Sequence, residues 1–152
     1  MGPKINANPL YISVLLLIFS YLFGEFIFPK YSLIYLINLI GLIGLLISMI
    51  FFFSAYNLFS SYKENPIPAT DTKRLIKTGI FAYTRNPIYI AFVLFHFSMF
   101  LVFENVMYLL CSAGLFFWIH NFVIPAEEEY LNNKFGNEFQ RYCWAVKRWL
   151  FF

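Results

Sequence analysis

Two polar clusters interrupt a chain that otherwise avoids charge: Gly79 through Tyr89, read as "GIFAYTRNPIY", and Pro125-Ala126-Glu127-Glu128-Glu129. The first places a guanidinium, an amide and two phenols just ahead of an apolar run. The second places three carboxylates just behind another. Each has an ordinary explanation. Asn86 suits an N-cap, Pro87 the first turn of a helix, and Tyr83 and Tyr89 an interfacial belt. Pro125 likewise suits the opening of a helix, with Glu127 and Glu128 favoured in its first turn by the dipole. Taken together, they describe two helix N-terminal regions, one basic and one acidic, that could hold a zwitterion. Its carboxylate would sit on Arg85 and free backbone N–H groups, and its ammonium on a glutamate. Nearby aromatic faces could hold a further positive centre by cation–π attraction.

The elements that must position these groups are apolar helices. The 152 residues are 61% hydrophobic, 23% aromatic and 12% charged, against about 45–50% apolar and roughly 25% charged in a soluble domain. Such a chain lacks the polar side chains to cover a soluble surface. Its apolar runs predict four spans, at about 9–28, 33–59, 87–103 and 106–124, each near the length that crosses a bilayer. The expected fold is all-α and polytopic, a single domain over 1–152 with four transmembrane helices. Loop 60–86 and tail 125–152 then share one side with both termini. That side carries ten of the eleven Lys and Arg residues, and Lys30 stands alone on the other. The positive-inside rule makes the populated side cytoplasmic. The net charge of +3 accordingly reads as topology and attraction to anionic headgroups, not as nucleic-acid binding. No small-residue cleavage signal follows the first apolar run, so that span is expected to stay in the mature protein.

The tail has a period: Leu131, Phe135, Phe139, Tyr142, Val146 and Trp149 step by four, four, three, four and three. This predicts an amphipathic helix at the cytoplasmic interface, bent at Gly136. Cys111 and Cys143 read as free thiols, and no spacing suggests a metal site. His96 and His120 fall inside spans three and four, where an ionisable group is a functional suspect. His120 is the nearer to the acidic cluster, so His120 and Glu128 are the candidates for a catalytic role. His96 is expected to be bonded to a neighbouring helix.

The segments "TGIFAYTRNPIYIA" and "VIPAEEEYLNNKFGNEFQRYCWAVKRWL" resemble the small membrane methyltransferases related to isoprenylcysteine carboxyl methyltransferase and phospholipid methyltransferases. Gly79, Arg85, Asn86, Pro87 and Tyr89 match the first motif of that group. Glu127, Glu128, Leu131, Phe135, Gly136, Phe139 and Tyr142 match the second. The resemblance implies S-adenosylmethionine as methyl donor in a cytoplasm-facing pocket, with Gly79, Tyr83, Arg85, Asn86, Pro87, Tyr89, Glu127 and Glu128 as its binding residues. It also implies a lipidic or small amphiphilic acceptor entering from the bilayer. Three positions depart from the pattern: Ile80 replaces a proline, Ala91 a glycine, and Val123 an arginine that would face a prenylcysteine carboxylate. Asn86, where prenylcysteine enzymes have histidine, looks more like the phospholipid and bacterial members, and the expected location is a prokaryotic plasma membrane rather than an endoplasmic reticulum. Two other readings stay open, an NADPH-dependent membrane reductase of the sterol reductase type and a non-catalytic lipid-binding protein.

Overall fold

The computed structural model describes residues 7–27, 34–67 and 70–151, together with 2, 3 and 5. The expected outer loop with Pro29 and Lys30 lies outside the described residues, as do Lys4 and the edges of the first two spans at 28 and 33. The described residues form helices and no strand. In chain order these are α1 (Pro9–Phe26), α2 (Tyr35–Ser61), a 3-10 turn (Gly79–Ala82), α3 (Pro87–Phe103), α4 (Val106–Trp118), α5 (Ile124–Phe135) and α6 (Asn137–Ala145). A π-helical segment, Ile119–Val123, joins α4 to α5.

Among the described residues three helices are long and apolar enough to cross a membrane: Pro9–Phe26, Tyr35–Ser61 and the continuous Val106–Phe135, while Pro87–Phe103 is apolar but shorter. In α1 and α2 burial is inverted relative to a soluble fold: large residues such as Leu36, Leu46 and Ile50 face outward, and the buried positions are small. Ser13 and Ser20 are buried in α1, Gly41, Ser48 and Ala55 in α2, and Ala91 and Ser98 in α3. Each set repeats at seven residues. A seven-residue period keeps one helical face on its partner, and small residues let backbones approach where no hydrophobic force separates protein from lipid.

Packing follows from these faces: α2 lies on α3, α3 on α4 and α4 on α1. His96 helps tie α1 to α3. Its ring nitrogens lie 2.8 Å from the Phe92 carbonyl and 3.2 Å from that of Ser13. At the far end α3 turns into α4 through Glu104, in the left-handed region at φ 57°, and Asn105, whose side chain accepts from Met107 N–H. A Cβ on Gly41 would sit 2.8 Å from Leu101 Cβ and 3.1 Å from the Val102 amide nitrogen. Gly41→Val is therefore expected to destabilise the bundle by about 1–3 kcal/mol, read as a lower Tm in detergent, whereas the outward-facing Leu46→Ala leaves Tm nearly unchanged.

Candidate active site

Arg85, Asn86, Pro87, Tyr89, Glu127 and Glu128 gather at the end where α1 and α3 begin and α2 emerges. The basic side is built on a turn. Gly79 has φ +58°, a left-handed conformation suited to glycine, and a Cβ there would meet Leu58 Cδ1 at 2.8 Å. The next three residues wind one 3-10 turn that buries Phe81 against Ala55 and Ile76. Tyr142 on α6 holds this turn, donating its hydroxyl to the Phe81 carbonyl at 2.7 Å.

From there the chain enters α3 in contact with its own C-terminal segment. Arg85 N–H donates to the Lys147 carbonyl at 3.0 Å. Thr84 Oγ1 donates to the Arg148 carbonyl at 3.1 Å and accepts from Asn86 N–H at 3.2 Å. The expected capping role of Asn86 is corrected here. It occupies the cap position without a side-chain cap bond, because its amide donates instead to the Arg148 carbonyl at 2.9 Å.

The acidic side also differs from expectation. Pro125 does not open a new helix. The chain runs helically through it, because the π-helical segment redirects the ladder: Ile124 N–H donates to the Ile119 carbonyl, five residues back. A wider turn before proline absorbs the hydrogen bond that its missing N–H cannot make. Glu127 and Glu128 thus stand inside a continuous rod, without the free backbone N–H groups of a helix start. The surplus residue rotates everything beyond it by about 100° relative to α4.

With that rotation the two clusters meet. Tyr89 donates its hydroxyl to Glu127 Oε1 at 2.8 Å. Arg85 Nη2 lies 2.8 Å from Glu128 Oε1. Arg148 completes the group, its Nε 3.1 Å from Glu128 Oε1 and its Nη2 on Oε2. Arg85 Nε is buried with no hydrogen-bond partner among the described residues.

Two cavities adjoin this group. One, of about 350 Å³, reaches toward α1 and α2 past Leu10, Phe52 and Tyr56. The other, of about 140 Å³, lies under the middle loop beside Thr72, Arg74 and Tyr130. Arg85, Asn86 and Glu127 line both, Pro87 and Tyr89 the first, Glu128 the second. Beyond the apolar part of its helix, Glu127 is partly buried at the cavity wall. Desolvation pushes its carboxyl up to about 7, Glu128's charge adds to the rise, and the Tyr89 hydroxyl opposes it. A third cavity of about 230 Å³ continues from the first along α1, α2 and α3, sharing Leu10, Phe52 and Phe92.

Other expected site residues stand elsewhere. Tyr83, expected to line the pocket, ends the 3-10 turn with 72% of its surface exposed and borders neither cavity. Gly79 shapes the turn without reaching the cavities. His120 stacks beside Phe116 and Trp149, whose own rings are 5.0 Å apart, and accepts at Nδ1 from Trp149 Nε1 at 3.0 Å. It borders neither cavity. Among the described residues no group of acidic, His and Cys side chains could hold a metal ion.

The expected single tail helix breaks at Gly136, where φ is +50°, and ends at Ala145; Val146 and Trp149 are buried from the non-helical segment beyond it. Arg148 and the carbonyls of Lys147 and Arg148 were not among the expected site groups. A basic residue in a basic tail carries no local signal of such a role.

A family model described as phospholipid methyltransferase matches residues 34–138. An uncharacterised protein from Haemophilus influenzae is 53% identical over 32 residues, which cover 21% of this chain and 51% of that protein. The matched stretch thus spans about half the length of that relative. No solved structure matches the chain.

Proposed function

The chain belongs to the phospholipid methyltransferase family, and on that premise we propose that it transfers a methyl group from S-adenosylmethionine to a lipidic or small amphiphilic acceptor at the cytoplasmic membrane face. The observation that carries this reading is the pairing of opposite charges in one cavity wall. Arg85 and Glu127 both line the two adjoining cavities. That arrangement suits the zwitterionic methionine end of the donor: Arg85, on the wall of both cavities, takes the carboxylate, and Glu127, held by Tyr89, takes the ammonium. Glu128 is already shared by Arg85 and Arg148, so its role is to orient them.

When bound, the donor supplies a methyl group on a positively charged sulfur, open to in-line attack. The chain's contribution is placement and exclusion of water. Phe52, Tyr56 and Phe92 make the wall of the larger cavity apolar, and the third cavity extends it between α1 and α2, along a path an acyl chain can follow. In this reading the protein has four spans with both termini and the site on the cytoplasmic side. At 17 residues, α3 is about 25 Å long and crosses a thin hydrocarbon core.

Calorimetry on the detergent-purified protein tests the donor. S-adenosylhomocysteine is expected to bind with one-to-one stoichiometry, and NADPH at the same concentration to give no heat. A folded protein that takes up no S-adenosylhomocysteine overturns the assignment.

A further inference from the structure

Arg85 already faces an anion, since Glu128 Oε1 lies 2.8 Å from its Nη2. A guanidinium neutralised by one carboxylate attracts a second one weakly. Arg148 changes that balance by reaching the same Glu128 with Nε and Nη2 together. Two guanidinia on one carboxylate leave the trio with a net charge of roughly +1. We propose that Arg148 is a positioning residue of the donor site: by holding the charge of Glu128, it leaves that of Arg85 to the incoming carboxylate. This rests on the assignment of Arg85 to the donor's carboxylate made above.

The segment carrying Arg148 is anchored independently of that side chain. Its backbone carbonyls accept from Arg85 N–H, Thr84 Oγ1 and Asn86 Nδ2. Trp149 is buried and donates to His120, and Val146 packs with Phe139 and Tyr142. The backbone latch therefore fixes where the tail lies, while the guanidinium of Arg148 sets the charge that reaches the cavity. Mutation can separate the two.

The test is a double-mutant cycle read by calorimetry with S-adenosylhomocysteine, with the ligand-free Tm measured in parallel. Arg148→Gln is expected to weaken binding about tenfold or more in the wild-type background, and by less than threefold in the E128Q background, where no charge remains to be held. A purely structural role would lower Tm and weaken binding equally in both backgrounds, and that result overturns the proposal. So does an R148Q protein that binds as the wild type does. Should R148Q not fold alone, E128Q and E128Q/R148Q are compared directly, and a tenfold difference between them overturns it. If the wild type itself binds no S-adenosylhomocysteine, the donor assignment falls as a whole; a wild type that binds beside a flat cycle removes only the role of Arg148.

Discussion

Arg85→Gln is expected to weaken S-adenosylhomocysteine binding by about a hundredfold. The side chain is 13% exposed, so a bond from it to a carboxylate forms with little competition from water. Charge-assisted bonds of this kind contribute about 1.5–3 kcal/mol, which corresponds to roughly 10- to 150-fold. The glutamine also leaves Glu128 with Arg148 alone, so the local charge falls from positive to about neutral. Arg85→Lys is expected to fall between the two, because an ammonium keeps the charge but not the fork that serves Glu128 and a ligand together. Calorimetry on both variants, with ligand-free Tm as the control for folding, checks this. Binding by R85Q within threefold of the wild type would remove Arg85 from the donor site.

The second large effect is a pH dependence and its disappearance. Glu127 titrates near 7 because its surroundings disfavour the carboxylate, and an ammonium partner needs that carboxylate ionised. Affinity for S-adenosylhomocysteine should therefore rise with pH, by about tenfold between pH 6 and pH 8, with most of the gain below 7. Glu127→Gln should weaken binding about a hundredfold at pH 8 and flatten the profile. The sign for stability is the opposite. A carboxyl whose pKa is raised by folding binds more protons folded than unfolded, so its contribution is full below the unfolded value near 4.5 and is lost as pH rises toward 7. Ligand-free Tm should thus fall slightly across that window in the wild type and not in E127Q. A wild-type affinity that does not change between pH 6 and pH 8 would separate the ligand's ammonium from Glu127.

Much of this site was legible in the sequence because its chemistry sits in two short motifs. Arg85, Asn86, Tyr89, Glu127 and Glu128 are rare polar residues at the borders of long apolar runs, where composition alone makes them conspicuous. The helices were legible for the same reason. What could not be read locally was what each polar group touches. Asn86 and Pro87 carry the signature of a helix start, and only the tail's return past α3 shows the amide bonded to a carbonyl 62 residues away. Pro125 carries the same signature, yet the π-helical segment before it keeps the rod unbroken. The tail's apolar period extends to Trp149 although the helix stops at Ala145, because burial maintains the pattern beyond the helix, Val146 against Phe139 and Tyr142 and Trp149 in the cluster with Leu115 and Ile119. Arg148 was hidden among interchangeable cations.

The surplus residue in Ile119–Val123 acts as a phase shift along a single rod. Upstream, one azimuth is committed to neighbours within the bundle; downstream, a different azimuth is presented to the cavities. The two tasks share a backbone but not a side. Selection on helix packing and selection on ligand chemistry can therefore proceed on the same element without either constraining the residues that serve the other.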